Sequence, residues 1–135
     1  VLEQSDCRAL VCHSTDGYDE VSLTGPCRVS LSYGSSQPEE ELGFDRILSP
    51  LDFGLNEVAP EAILGGATPI DGARIFKEIL AGEGTNEQVD VVAANTALGL
   101  KCIDPNLALE EGVARAKEAL SSGKVKQTFV AYCES

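Results

Sequence analysis

In Asp16-Gly17-Tyr18-Asp19-Glu20 three carboxylates fall within five residues, a few positions after the short apolar run Ala9-Leu10-Val11-Cys12. Carboxylates that converge can hold a cation, whereas carboxylates spread over a turn only face water. Neighbouring side chains on a straight strand point to opposite faces, so Asp19 and Glu20 converge only where the backbone bends. Gly17 permits such a bend. The end of a buried strand is also where open α/β sheets seat their ligands. Spacing alone leaves the solvated acidic turn as the ordinary reading, because two adjacent carboxylates repel by only about 1 kcal/mol in water. His13 is a candidate substrate contact, set against a plain hydrogen-bonded histidine at a strand end. Cys12 and His13 are neighbours on the predicted strand and face opposite ways, which sets a nucleophile–base pair aside.

The elements that must position these residues come in two blocks. Ser14-Thr15-Asp16-Gly17 are turn formers. Val21 and Leu23 alternate with Ser22 and Thr24, Gly25-Pro26 marks a turn, and Val29, Leu31 and Tyr33 alternate with Arg28, Ser30 and Ser32. That pattern predicts a hairpin about Gly25-Pro26. Residues 34–41 read as a loop and 44–48 as another short strand. From Pro60 the periodicity turns helical. Thr68 is an N-cap with Pro69 at the first helical position, and Ala73, Phe76 and Leu80, with Ile75 and Ile79 beside them, form an apolar stripe that Gly82 and Gly84 end. Thr85-Asn86-Glu87-Gln88 is a capping-box pattern. It opens a second helix with Val89, Val92, Ala93, Thr96, Ala97 and Leu100 on one face, ended by Pro105. Asn95 and Thr96, set among small apolar residues, read as helix packing. A third helix runs from about Leu107 to Gly123 along Leu109, Val113, Ala116 and Leu120, and a last short one covers residues 124–133. Residues 1–4 read as the tail of a helix. Strands first and helices after, with no repeat and no linker, predict one α/β domain over 1–135, its helices packed on the sheet.

Composition narrows the function. The chain has 135 residues with 22 acidic and 10 basic side chains, a net charge of −12 that phosphate backbones and anionic membranes would repel. No apolar run approaches the roughly 20 residues that a membrane span needs. Neither nucleic acid nor membrane is therefore an expected partner, and the surface suits a cytoplasmic protein. The five cysteines, Cys7, Cys12, Cys27, Cys102 and Cys133, form no CxxC pair and read as small buried hydrophobes rather than a disulfide framework or a zinc site. The sequence contains no methionine, which fits a processed chain or a fragment.

The stretch from His13 to Gly25 resembles the segment HGxDGxDExSxxG of the anthranilate phosphoribosyltransferases. Asp52-Phe53-Gly54-Leu55 is similar to that family's DFGL step, Gly65-Gly66 to its GGD turn, and Ile79 to Gly84 to ILxGxxG. Ala93-Ala94-Asn95-Thr96-Ala97 resembles the NAAxAL helix, and Gly112 to Val125 the segment GVxxAxxxxxSGKA. Ser14 stands where the family usually has glycine, which implies a slight change in the turn, and Ala67-Thr68 follow Gly66 where GGD would put an acid. The resemblance implies the C-terminal part of a large α/β domain in an enzyme of tryptophan biosynthesis. That enzyme transfers phosphoribosyl from phosphoribosyl pyrophosphate to the amine of anthranilate. It implies a Mg²⁺ ion held by Asp19 and Glu20 at the diphosphate, and a homodimer formed through an N-terminal helical domain. The family's glycine-rich phosphate loop (GTGGD), its KHGN segment and the arginine that contacts anthranilate lie upstream of this stretch, so the 135 residues alone are expected to be inactive. Pyrimidine nucleoside phosphorylases share the architecture, and a non-catalytic acidic cation-binding module is the alternative outside the enzymes.

Overall fold

The computed structural model describes residues 7–32 and 43–135; the expectations for residues 1–4, for Tyr33 and for the loop 34–41 fall outside them. Three strands, β1 (Ala9–Ser14), β2 (Cys27–Ser32) and β3 (Gly43–Leu48), form an antiparallel sheet in the order β1-β2-β3. Cys12 lies opposite Val29 and Ser14 opposite Cys27, while Cys27 also pairs with Leu48. The period-2 pattern of β2 is obeyed: Cys27, Val29 and Leu31 are buried, and Arg28 and Ser30 are exposed. On the outward face Arg28 grips both oxygens of Asp45, at 2.7 and 3.1 Å, and holds its carboxyl below the usual carboxylate range.

The predicted hairpin about Gly25-Pro26 does not form. β2 pairs instead with β1, and residues 21–25 make a bent connection between them. Alternation misleads here because Val21, Ser22 and Leu23 are all buried, the hydroxyl of Ser22 included. Leu23 adopts φ 61°, a left-handed conformation that no strand tolerates. Its carbonyl accepts the Val58 N–H at 2.9 Å, which ties the bend to the chain beyond the sheet.

Two 3₁₀ turns, Pro50–Phe53 and Pro60–Ile63, lead into four helices: α1 (Pro69–Leu80), α2 (Asn86–Ile103), α3 (Leu109–Ser121) and α4 (Lys124–Cys133). In the first 3₁₀ turn the Asp52 carboxylate accepts the Ser49 N–H and hydroxyl, and Phe53 drops into the core, 1% exposed. The Thr68 and Thr85 caps form as expected. Each threonine accepts the N–H three residues on, and Asp71 or Gln88 in turn accepts the threonine N–H.

Helices α2 and α3 make the densest junction, built of small residues. Ala93, Ala94 and Ala97 of α2 are buried, as are Gly112, Val113 and Ala116 of α3. The buried face of α2 is rotated from the predicted stripe: Thr96 is exposed, whereas Ala94 and Leu98 are buried. α2 also rests on β1, and so ties the sheet to the helices. The stripe of α1 stays largely open, with Phe76 46% exposed and meeting the Phe129 ring of α4 edge-on at 5.1 Å. Among the described residues no helix is long and apolar enough to cross a membrane. Of the cysteines only Cys27 is buried; Cys7 and Cys133 are exposed, and all five are free thiols.

Candidate functional site

Strand β1 ends at Ser14, and the chain then turns on itself. The Ser14 N–H donates to the Tyr18 carbonyl at 2.8 Å, and the Gly17 N–H donates to the Ser14 carbonyl at 3.1 Å. Gly17 sits at φ 102°, where a side chain would be strained, so the bend inferred from glycine is present. Thr15 fastens the other side of the loop, its N–H and hydroxyl both donating to the Pro26 carbonyl at 2.9 and 3.0 Å.

The acid pair follows on a segment whose backbone is gripped from beneath. The Cys12 thiol donates to the Asp19 carbonyl at 3.7 Å, and the Ser14 hydroxyl donates to the Glu20 carbonyl at 2.6 Å. The Asn95 amide donates to the Val21 carbonyl at 2.9 Å and accepts the Val21 N–H at 3.0 Å. Three consecutive carbonyls thus each take a side-chain hydrogen bond, from β1, β1 and α2 in turn. Ser14 is fully buried, so the hydroxyl that replaces the family's usual glycine fills a closed position and works there. It also accepts the N–H of Ser22 at 3.3 Å, and its oxygen lies 3.2 Å from the Ser22 hydroxyl oxygen.

The three carboxylates of the turn part ways in this frame. Asp16 accepts the hydroxyls of Thr24 and Ser22, and the Thr24 bond above all holds its carboxyl below the usual carboxylate range. It therefore belongs to the turn's internal bracing. A lowered pKa stabilises the folded turn above the ordinary Asp range, and that contribution is lost as pH falls through the lower folded value. In a pH titration followed by NMR, the Thr24 amide should shift with a midpoint below that of an unstructured aspartate. A midpoint at or above it would show that the bracing bond is not made.

Asp19 and Glu20 are both exposed, and neither carboxylate bonds or pairs with a described residue. Among the described residues no three potential ligands gather to form a closed protein cage for a metal. A bare pair of oxygens suits Mg²⁺ in particular, which typically takes one or two carboxylates and fills its remaining positions with waters and substrate phosphates. Beneath the pair, burial first, then the neighbouring Cys27 and the Glu20 and Asp19 charges, push the Cys12 thiol up. It stays protonated at neutral pH and is no nucleophile. His13 points to the other face of β1, with Val11 and opposite Arg28, and its ring bonds no described residue.

Sequence reasoning singles out the acid pair as a candidate but misses what holds its backbone. It reads Asn95 as helix packing and Ser14 as a slight change in the turn, whereas both fasten the backbone of the pair. The signal is available for Asn95: an amide on the apolar face of a helix needs partners, and a helix supplies few.

These features define an α/β domain with a carboxylate-bearing turn at a strand end. The chain belongs to the glycosyl transferase family, a/b domain, which it matches over residues 1–126. It is 36% identical over 132 residues to an anthranilate phosphoribosyltransferase of Bacteroides fragilis (strain YCH46), a match covering 98% of this chain and 37% of that relative. Its fold is similar to that of the anthranilate phosphoribosyltransferase from Thermus thermophilus, with TM-score 0.73 and 30% identity over 96% of this chain and 36% of that one. It is also similar to the Saccharomyces cerevisiae enzyme in complex with PRPP and Mg, with TM-score 0.73 and 25% identity over 89% of this chain and 32% of that one. The chain therefore spans about a third of the length of these relatives.

Proposed function

We propose that this chain is the C-terminal part of a cytoplasmic anthranilate phosphoribosyltransferase, and that Asp19 and Glu20 hold its magnesium ion. In that reaction the anthranilate amine forms a bond to the anomeric carbon of phosphoribosyl pyrophosphate. The bond from that carbon to diphosphate breaks, and the amine gives up a proton. The observation that carries the proposal is the pair of exposed, uncommitted carboxylates on a turn fixed by Cys12, Ser14 and Asn95. The likeness to enzymes of that name, one of them solved with PRPP and Mg, supports it.

A chain of net charge −12 repels a diphosphate unless a cation stands between them. Bound between the carboxylates and the diphosphate, Mg²⁺ would neutralise charge on the leaving group, an effect worth several kcal/mol of barrier. What this chain contributes is placement: the carboxylates project from a backbone that does not have to be ordered when ligand arrives. The remaining substrate contacts and the homodimer interface are assigned to the part of the enzyme that this chain does not span, so the 135 residues alone should give no turnover. The test is loss of anthranilate fluorescence on mixing the full-length protein with phosphoribosyl pyrophosphate and Mg²⁺. Turnover would support the proposal. Phosphate-dependent cleavage of uridine in its place would move the protein to the pyrimidine nucleoside phosphorylases. Neither reaction, with Mg²⁺ still bound, would leave a cation-binding module.

A further inference from the structure

We propose that Asn95 is a positioning residue for the acid pair: it locks the peptide that follows Glu20 onto α2, so that both carboxylates are presented to one ion. The inference rests on the reading of Asp19 and Glu20 as magnesium holders.

Asn95 sits in the middle of α2, between the buried Ala93, Ala94, Ala97 and Leu98. An amide in such surroundings is unfavourable unless its donors and acceptor are all used. They are used, and on the turn. Its Oδ1 accepts the Val21 N–H at 3.0 Å, and its Nδ2 donates to the Val21 carbonyl at 2.9 Å and to the Val91 carbonyl of its own helix at 2.9 Å. The first two bonds grip one residue's N–H and C=O together, as a paired strand would, and so fix its rotation about the chain axis. The third fixes the amide itself to the helix. Val21 is 2% exposed, so water cannot take over these bonds.

The other two grips on the turn come from β1, the strand from which the turn issues: Cys12 to the Asp19 carbonyl and Ser14 to the Glu20 carbonyl. Asn95 is the grip from outside the sheet. Without it Val21, set between the Glu20 carbonyl and the Ser22 N–H that Ser14 holds, loses the partners of both its N–H and its C=O, and that peptide can rotate. An ion would then have to order the turn at the moment of binding, which weakens binding without touching either ligand.

The experiment uses the full-length protein and Mn²⁺, whose free form is counted by electron paramagnetic resonance, together with the Mg²⁺ dependence of turnover. Asn95→Ala should weaken Mn²⁺ binding by about tenfold, the lower end of what loss of a ligand-supporting partner does. The Mg²⁺ concentration for half-maximal turnover should rise by a similar factor, with kcat at saturating Mg²⁺ largely retained. Leu120→Ala controls for general destabilisation, since Leu120 is buried on α3 outside the cluster that contains Val21. It should lower the melting temperature yet leave Mn²⁺ affinity unchanged. Equal Mn²⁺ affinity in Asn95→Ala and wild type, with binding lost in Asp19→Asn/Glu20→Gln, would overturn the role of Asn95 alone. A matching loss of affinity in Leu120→Ala would overturn it too. Binding unaffected by Asp19→Asn/Glu20→Gln would remove the magnesium reading itself.

Discussion

Replacing Asp19 and Glu20 together by alanine is expected to lower kcat/KM for phosphoribosyl transfer at least about a thousandfold and to leave the thermal melt unchanged. The kinetic half follows from the proposed role of the pair in holding Mg²⁺ at the diphosphate of the full-length enzyme. Cation stabilisation of a leaving diphosphate is worth several kcal/mol, and each 1.36 kcal/mol is a factor of ten in rate, so losing about 4 kcal/mol gives roughly three decades. The stability half follows from exposure. Both side chains face solvent and neither bonds a described residue, and such surface changes typically stay within about 0.5 kcal/mol. The bonds that shape the turn run to the backbone carbonyls of Asp19 and Glu20, which alanine retains. Anthranilate fluorescence and a melting curve on the same preparation of the full-length protein check both halves. More than a tenth of wild-type activity in the double variant would refute the role of the pair, provided the melt is intact.

The second large effect concerns the junction that holds the site's helix in place. A methyl group built on Gly112 of α3 would lie 2.8 Å from the Ala97 Cβ and 2.9 Å from its Cα on α2. Those atoms belong to a backbone and a one-carbon side chain, so no rotamer change relieves the clash. Helix propensity favours alanine over glycine by about 1 kcal/mol, while overpacking typically costs about 1–3 kcal/mol and falls here on the densest contact of the fold. Because the clash falls on backbone, the cost lies toward the upper end of that range, and we expect Gly112→Ala to be destabilising by up to about 2 kcal/mol net. Gly99→Ala is the paired measurement. Gly99 lies inside α2, exposed, with no described residue within 4 Å of an added Cβ, so the same change should stabilise by up to about 1 kcal/mol. Opposite signs in urea unfolding confirm that approach distance decides; the same sign in both would refute the packing of α2 on α3.

Local chemistry makes much of this fold legible. The Thr68-Pro69 start and the Thr85–Gln88 box mark α1 and α2 because capping is settled within one turn of chain. The alternation of β2 is equally local. Failure begins where burial comes from distant partners. Val21 to Thr24 alternates like a strand, yet Ser22 turns inward because Ser14 and Asp16 satisfy it, and no spacing rule foresees that. The acid pair is singled out only by its resemblance to a family segment; spacing alone favours a solvated turn. Its fastening by Asn95 escapes sequence reasoning, because the partners lie 74 positions apart. The stripe of α1 is periodic and still half open; its Phe76 ring is 46% exposed, with the Phe129 ring of α4 edge-on beside it.

That separation of 74 positions bears on the order in which the molecule assembles. Closing so long a loop carries an entropic penalty that contacts made early in folding do not yet offset. The β1–β2 pairing closes over a far shorter stretch and can precede it. The carboxylate corner therefore acquires its final shape only when α2 docks. A partly folded chain with its sheet already in place would still lack it.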